Sequence, residues 1–276
     1  MSEIDNVSII IKTFERRVCL DRLLTSIKKQ SYGCCPILIA DDSENPYDEY
    51  ILKKHGNIID RYIKLPFDSG VSKGRNKLLE EVDTDFFIVN DDDFVYHKGT
   101  KIEKALKKIR NCGYDILAGN LLEKKRVFTT KLLPRRLSNF LGLYKETWEE
   151  SGWTAELTIN DDDSVEIKNS NNEKSEIHEC DIVTQFFIAR TDRVYDNTGG
   201  WNPKIKTFGE HWEFFYRAKK AGLDVARYDE WSVLHVPENN TKYYEYRKER
   251  EKETILKSIR CSDIPYLIKN NKIYKP

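Results

Sequence analysis

Short apolar runs alternate with amphipathic segments over the first 119 residues of the chain. Residues 7–11, 36–40 and 86–89 are rich in β-branched and aromatic side chains, which is typical of buried strands. Leucine and isoleucine recur at helical spacing over residues 20–27, and two lysines follow, as the helix dipole favours. The pattern predicts an α/β fold, a mostly parallel sheet with helices on both faces. It also predicts a short strand near 61–65, helices near 47–55 and over 101–111, and a loop at 68–72 that leads into a helix containing residues 75–79.

The pattern becomes mixed after residue 119. Residues 121–130 and 157–167 predict strands of a smaller antiparallel part, with a basic loop at 131–139 between them. Three later elements are predicted from apolar and charged periodicity: a buried strand at 186–189, a helix at 210–221 and a charged helix at 243–259.

Length, charge and cysteine content limit the class of protein. A chain of 276 residues can form one large domain, which we expect over 1–236 with halves meeting near 119, and a C-terminal helical extension over 237–276. The 46 basic and 46 acidic residues balance, which argues against a nucleic-acid partner. No apolar run has the length of a transmembrane helix, and the first residues do not resemble a signal peptide. Six cysteines without metal-ligand spacing are typical of reduced thiols in a cytoplasmic protein.

Three consecutive carboxylates, Asp91 to Asp93, follow the predicted strand at 86–89. Acids clustered at the end of a buried strand repel one another unless a cation lies among them. A hard divalent ion that also binds substrate phosphates would compensate their charge. An acidic turn without a metal is the alternative interpretation.

A second triplet, Asp161 to Asp163, has different flanks. It lies between two short alternating segments, 156–159 and 164–167, and a polar tract follows. Asn and Asp are favoured in hairpin turns because they hydrogen-bond to nearby backbone. We therefore interpret this triplet as a structural turn.

Polar side chains follow three of the predicted parallel strands, at residues 13–15, 41–42 and 91–93. Ligands in such sheets bind outside the carboxyl ends of the strands. We therefore expect these three segments to face one crevice.

Motifs in a fixed order resemble a GT-A glycosyltransferase of the family 2 type. Residues 7–27 resemble the opening strand, turn and helix of that family, with Lys12 where proline is usual. LIADDS resembles its second strand, FDSGVSKGRN its Gly/Arg/Asn loop and IVNDDDF its DxD motif. CDIVTQFFIARTDRV, GEHWEFFYRAKKAG and SVLHV are similar to the acceptor half of the ganglioside-type β-1,4-N-acetylgalactosaminyltransferases and their bacterial relatives.

The resemblance implies an inverting, metal-dependent glycosyltransferase that moves a sugar from a UDP-sugar to a hydroxyl of a glycan or glycoconjugate. It implies Mn²⁺ or Mg²⁺ as cofactor, because a divalent ion stabilises the diphosphate leaving group. The donor would be GalNAc-like, with galactose, N-acetylglucosamine, glucose and xylose as alternatives. Because no membrane anchor is evident, we expect cytoplasmic polysaccharide or glycan biosynthesis.

The resemblance also implies residues for the metal. Asp93 would be a ligand, Asp91 a ligand or a contact to the donor ribose, and His235 would complete the site. Asp92 belongs to the same donor-side motif, although it would point the other way off the strand end and so suits a structural role.

Further residues match positions that contact the nucleotide in resembling enzymes. Asp41 would accept a hydrogen bond from the uracil imide, whereas Asp42 suits a helix cap. Thr13 and Glu15 lie at the base-binding turn, and Arg75 and Asn76 match the loop that contacts the donor.

The catalytic base is the point where the sequence departs from many relatives, because His211 stands where an aspartate is common. Either Glu210 or a neutral His211 could deprotonate the acceptor hydroxyl. We favour Glu210 as base with His211 as acceptor contact, although an acid at a helix start also suits the dipole. Further acceptor-side candidates, each with a structural alternative, are Glu213, Asp181, Trp201 and Trp212.

Two other functions are compatible with this sheet. A sugar nucleotidyltransferase would need a glycine-rich phosphate loop after the first strand, and residues 12–17 contain no glycine. A non-catalytic glycan-binding module would not need Asp91, Asp93 and His235 together.

Overall fold

The computed structural model describes residues 3–128, 144–151, 154–170, 176–238 and 241–276. The basic loop predicted at 131–139 lies outside the described residues. The predicted alternation of strands and helices over the first 112 residues is confirmed. The strands β1 to β5 are Val7–Thr13, Ile37–Asp41, Arg61–Lys64, Phe86–Asp91 and Phe94–Val95, and the helices α1 to α4 are Arg17–Lys29, Asp48–His55, Val71–Leu79 and Ile102–Cys112.

The predicted strand at 186–189 and the helices at 210–221 and 243–259 are also confirmed, with bounds that shift by a few residues. A short helix directly after the strand was not predicted. The strands β6 to β14 are Ile116–Phe128, Tyr144–Glu150, Ala155–Ile159, Val165–Asn169, Ile177–Glu179, Phe187–Arg190, Val225–His235, Leu267–Lys269 and Lys272–Tyr274. The helices α5, α6 and α7 are Thr191–Thr198, Glu210–Lys220 and Thr241–Cys261.

A mixed sheet forms the centre of the protein. Its strands lie in the order β10-β12-β6-β11-β4-β1-β2-β3, with β5 paired to β12 and β7 to β6. The run β4-β1-β2-β3 is parallel, and β11 is antiparallel to both of its neighbours. The predicted α/β architecture is therefore confirmed, and the second half of the sheet is mixed, because β6 and β12 are parallel whereas β7, β10 and β11 pair antiparallel.

Alternate residues of β1 supply two separate cores. Ile9 and Ile11 pack in a cluster with apolar residues of α1 and α4, whereas Ile10 packs in the cluster that contains residues of α3 and α6. Successive side chains of a strand point to opposite faces, so a continuous apolar run is what a sheet covered on both faces requires. None of the helices in the described part of the chain is both long enough and apolar enough to cross a membrane.

A second, four-stranded sheet has the order β14-β13-β9-β8. Its β8–β9 hairpin has Asp161 to Asp163 at the turn, with Asp163 at φ +62°, which confirms the structural interpretation of this triplet. The C-terminal strand β13 pairs in parallel with β9. The C-terminal residues therefore do not form a helical extension alone, because their strands complete a sheet with residues 155–169.

The strand registers bring the polar strand ends together. Thr13 is paired with Asp41, and Lys12 is paired with Asp91. The β5–β12 pairing sets His235 opposite Phe94, and the β6–β12 pairing sets it beside Glu123. Residues far apart in the chain are thus adjacent at one edge of the sheet.

Candidate active site

A crevice of about 540 Å³ lies at the carboxyl ends of β1, β2 and β4, where ligands bind in sheets of this type. Thr13, Asp42 and Asp93 line it, so the expected convergence of the three strand ends is confirmed. Side chains of α7 and of the β13–β14 hairpin line it as well. The predicted site residues among its walls are Thr13, Arg75, Asp91, Asp93, Glu210, His211, Trp212 and His235.

Asp93 lies between two basic side chains. Arg16 donates from Nη1 to Asp93 Oδ2 at 2.5 Å, and His235 Nε2 lies 3.5 Å from the same oxygen. The β5–β12 ladder holds His235 there, and Val236 N donates to the Asp93 carbonyl at 2.9 Å. Asp93 and His235 thus lie together, as the resemblance implied.

The other two acids of the triplet, Asp91 and Asp92, have different hydrogen-bond partners. Asp91 accepts from Arg75 Nη2 at 2.8 Å, whereas the fully buried Asp92 accepts from the Thr13 hydroxyl at 2.7 Å and pairs with Arg16. Among the residues that the structure describes, no group of three or more His, Cys, Asp or Glu side chains could hold a metal ion. The expected cluster of Asp91, Asp93 and His235 is therefore not assembled, because Asp91 turns to Arg75.

Asp93 and His235 nevertheless fit a divalent ion as a pair. Glu123 Oε1 lies 3.0 Å from His235 Nδ1, and a carboxylate on the second imidazole nitrogen is a common feature of metal-binding histidines. Mg²⁺-type sites often use few protein ligands together with substrate phosphates. The donor set therefore suits an ion whose remaining ligands come from a bound diphosphate.

Burial and Arg16 determine the ionisation of this cluster. Burial raises the pKa of Asp92 to about 7, against the opposing effect of Arg16. Burial also acts to raise the pKa of Asp93, but Arg16 and His235 outweigh it and lower that pKa to about 2. Burial lowers the pKa of His235, and Asp93 and Glu123 outweigh it and raise that pKa to about 9. In this arrangement an ionised Asp93 faces a protonated His235 near pH 7.

The structure assigns different roles to Asp41 and Asp42 from those predicted. Asp41 is fully buried and accepts from Ser43 N at 2.9 Å, Tyr47 N at 2.9 Å and the Tyr62 hydroxyl at 2.6 Å. Its carboxylate stabilises the loop after β2 and does not line the crevice, so Asp41 is not positioned to contact a base. Asp42, which we expected to cap a helix, lines the crevice instead.

Three aromatic rings form a cluster beside Asp42. The ring of Phe14 lies 5.8 Å from that of Phe67 and 5.5 Å from that of Tyr246 in α7. Phe14 and Tyr246 line the crevice, and Phe67 is 47% exposed. The rings are tilted or edge-on to one another, so this end of the crevice offers individual aromatic faces of the kind that bind planar rings.

Arg75 lines the crevice, whereas the predicted donor residues Asn76 and Glu15 do not. It is buried, its guanidinium lies 5.3 Å from the Trp201 ring centre, and its Nη1 has no hydrogen-bond partner in the described part of the chain. Asn76 instead holds the Trp201 backbone, with bonds of 2.6 and 2.7 Å to its carbonyl and amide. Glu15 Oε1 accepts from Glu44 N at 2.8 Å. Asn76 and Glu15 therefore stabilise loops around the site.

Glu210 and His211 both line the crevice at the start of α6. Glu210 Oε2 accepts from Gly209 N at 3.1 Å, whereas His211 donates from Nε2 to the Val183 carbonyl at 2.6 Å. Burial, with a smaller contribution from Arg75, lowers the pKa of His211 to about 3. Its Nε2 is bonded to the Val183 carbonyl and burial disfavours its protonated form, so His211 is poorly suited to take a proton near pH 7.

Three of the acceptor-side candidates make contacts within the protein that give them a structural role. Glu213 is fully buried and pairs with Arg217 at 2.8 Å, so it neither orients His211 nor reaches the crevice. Asp181 accepts from Leu157 N at 2.7 Å and pairs with Lys219 at 2.8 Å. Trp201 is in the core, stacked on Phe214 at 4.7 Å.

Trp212 does line the crevice, but it is only 4% exposed. Its Nε1 donates to Ser258 of α7 at 3.1 Å, which joins α6 to the C-terminal helix. Little of its ring is therefore available to stack on a sugar.

Several crevice residues were not predicted as site residues. Lys12 precedes and Arg16 follows the end of β1, and basic residues at the carboxyl end of a parallel strand were a pattern in the sequence that could have indicated them. Tyr243 and Lys269 had no such signal, because α7 and β13 reach the crevice only through tertiary pairing.

A mixed sheet of this order, with a polar crevice at the ends of β1, β2 and β4, is the fold of the GT-A glycosyltransferases. The chain belongs to glycosyl transferase family 2, whose sequence profile matches residues 8–166. Human beta-1,4 N-acetylgalactosaminyltransferase 1 is 27% identical over 219 residues, which are 76% of this chain and 35% of that protein. The mouse protein of that name is 31% identical over 210 residues, again 76% of this chain and 35% of its own length. The chain thus spans about a third of the length of these relatives.

Solved structures agree in fold. Staphylococcus aureus TarS 1-349 superposes with a TM-score of 0.56 at 18% identity, over 84% of this chain and 60% of that one. GalNAc-T7, solved with UDP, GalNAc and Mn²⁺, gives a TM-score of 0.59 at 13% identity, over 86% of this chain and 45% of its own.

Proposed function

We propose that this chain is an inverting glycosyltransferase that transfers a sugar from a UDP-sugar to a hydroxyl of a glycan. One observation carries the proposal: a single crevice combines an aromatic end with Asp42, a central Asp93–His235 pair and Glu210. An enzyme that transfers a sugar from a nucleoside diphosphate uses these three features together: the first binds the nucleobase, the second the diphosphate, and the third acts on the incoming acceptor. The cytoplasmic location and the polysaccharide or glycan product expected from the sequence are part of this proposal.

Asp93 and His235 would hold the Mn²⁺ or Mg²⁺ ion, which when bound would stabilise the charge that develops on the leaving diphosphate. Arg75 supports the same step, since its Nη1 is a buried donor with no partner among the described residues and it lies beside Asp91. A guanidinium donates well to phosphate oxygens. His235 would have to be neutral as a ligand, with Glu123 holding the proton on Nδ1 in place.

Glu210 would take the proton of the acceptor hydroxyl during direct displacement, which inverts the anomeric centre without a covalent intermediate. His211 is held by Val183 in the tautomer that carries a proton on Nε2. It would contact the acceptor rather than deprotonate it.

The donor sugar proposed is N-acetylgalactosamine, because the curated relatives transfer that sugar by name. Galactose, N-acetylglucosamine, glucose and xylose remain in the test panel. A sugar nucleotidyltransferase is disfavoured, because the turn after β1 has Arg16 directed at Asp92 and Asp93 and no glycine loop that could surround a triphosphate.

The test is a screen of UDP-sugars for release of UDP with Mn²⁺, first against water and then with glycan acceptors. Metal-dependent UDP release from at least one sugar, with inverted configuration in the product, is expected. A protein that binds glycans but releases no UDP from any donor would be a binding module, and the formation of UDP-sugar from UTP would identify a nucleotidyltransferase.

A further inference from the structure

Lys12 lines the crevice beside Thr13. The residue is 7% exposed, at the carboxyl-terminal part of β1 between β2 and β4. Its aliphatic chain crosses Gly74 of α3 so closely that a Cβ at residue 74 would overlap with the Lys12 side chain. The fold thus provides a channel that fits this lysine.

The Lys12 ammonium ends beside Asp42 and the Phe14 ring. It donates to the Thr13 carbonyl at 2.7 Å and to Asp42 Oδ1, and it lies 5.8 Å from the ring centre of Phe14. An ammonium has three N–H donors, and the contacts within the described residues use two of them. Asp42 Oδ2 accepts from Gly70 N at 2.8 Å, and each carboxylate oxygen can accept a second bond.

Lys12 and Asp42 therefore present a donor and an acceptor side by side next to an aromatic ring. Uracil has the complementary edge, an N3–H donor beside the O4 carbonyl. Cytosine has an unprotonated N3 beside its amino group, so that a carboxylate would face a lone pair and an ammonium would face N–H donors. Leaving such buried polar groups unpaired is a strong source of discrimination.

We propose that Lys12 is a specificity-determining residue, which donates to the O4 carbonyl oxygen of uracil while Asp42 accepts from N3–H. This inference rests on the proposed function, since it requires that a pyrimidine nucleotide binds at the aromatic end of the crevice.

The first experiment compares UDP and CDP binding by titration calorimetry with Mn²⁺, in the wild type and in Lys12→Met. The loss of a bond from a charged donor should weaken UDP binding roughly tenfold to a hundredfold. CDP binding should change little, so the ratio of the two affinities falls. The matched control is Lys64→Met, which removes an exposed lysine paired with Asp48 outside the crevice and should leave both affinities unchanged.

A second variant tests whether the position of the Lys12 ammonium matters, or only its charge. Gly74→Ala keeps Lys12 but displaces its flexible end from the channel, and it suits a helix interior. It should lower the ratio of UDP to CDP affinity as Lys12→Met does. An unchanged ratio in either variant, with UDP binding retained, would overturn the inference and make Lys12 a structural partner of Asp42. A wild type that binds neither nucleotide would overturn the proposed function, and this inference with it.

Discussion

Arg16 donates to Asp93 Oδ2, the oxygen that also lies 3.5 Å from His235 Nε2. The guanidinium thus compensates the charge of Asp93, the acid expected to be a metal ligand. The ring centre of Tyr243 in α7 lies 4.3 Å from the Arg16 guanidinium carbon. A divalent ion shared by Asp93 and His235 would have to displace this contact, so the protein's own cation competes with the metal.

Arg16→Gln should therefore increase the affinity for Mn²⁺ in the absence of nucleotide. Loss of a competing ion pair worth about 1 kcal/mol would raise the Mn²⁺ affinity roughly fivefold, and a partly buried pair would have a larger effect. Electron paramagnetic resonance of free Mn²⁺ would measure the change. Arg17→Gln, at an exposed neighbour whose guanidinium contacts Tyr50, is the matched control. Equal Mn²⁺ affinity in both variants would contradict the competition.

Asp93→Asn should abolish sugar transfer while the fold persists. We expect a loss of at least roughly 100-fold, since even substitutions of groups that only support metal ligands cost up to that much. Asp162→Asn, in the hairpin triplet, should leave turnover near wild type, because Asp162 only accepts from Ser164 N at 3.1 Å and Tyr266 at 2.7 Å. Similar turnover in the two variants would show that the triplets had been distinguished wrongly.

The neighbouring acids Asp41 and Asp42 should respond differently to the same change. Asp42→Asn should reduce the preference for UDP over CDP, because an amide can donate to the unprotonated N3 of cytosine. Asp41→Asn should keep that preference but lower the free energy of unfolding by about 1–3 kcal/mol, since Asp41 accepts three buried hydrogen bonds. Nucleotide titrations and denaturant unfolding of both variants check this, and a reversed pattern would restore Asp41 as the base contact.

Glu210→Gln should lower kcat by roughly 100-fold or more while the affinity for UDP stays near that of the wild type. A base acts only on the acceptor proton, so donor binding does not depend on it. Single-turnover kinetics and UDP titration of the same variant separate the two quantities. Full retention of kcat would remove Glu210 from the proposed mechanism.

His211 should not produce an acidic limb near pH 6.5 in the kcat profile, because burial lowers its pKa to about 3. It should contribute to the pH dependence of stability. Above its unfolded value of 6.5 the residue is neutral in both states and contributes nothing to that dependence. As the pH falls below 6.5 the unfolded chain gains a proton that the folded protein does not, so stability decreases toward pH 3.

The free energy of unfolding should therefore fall less steeply with decreasing pH in His211→Gln, by up to about 1.4 kcal/mol per pH unit. Glutamine keeps a donor for the Val183 carbonyl, which limits other effects of the substitution. Denaturant unfolding between pH 6.5 and 4 measures the slopes. Equal slopes, or an acidic kcat limb near pH 6.5 that the variant lacks, would show that His211 ionises in its usual range and would favour it as the base.

The sequence by itself determined the α/β architecture and the position of the crevice, and its resemblance to family 2 enzymes predicted the proximity of Asp93 to His235. Apolar runs suited to buried strands and the helical period specify the elements, and parallel strands necessarily end at one edge. The different flanks of the two acidic triplets were also sufficient to recognise the hairpin turn at 161–163.

Only the tertiary structure decided which member of each polar pair faces the crevice. Asp41 and Asp42 are adjacent in the sequence. Ser43, Tyr47 and Tyr62 hydrogen-bond to the Asp41 carboxylate, whereas Asp42 lines the crevice. Likewise Asp91 turns to Arg75, and Glu213 to Arg217. The participation of α7 and β13 follows from the pairing of β13 with β9, about 100 residues earlier in the chain. Local periodicity carries no information about such contacts, because they depend on how distant segments pack.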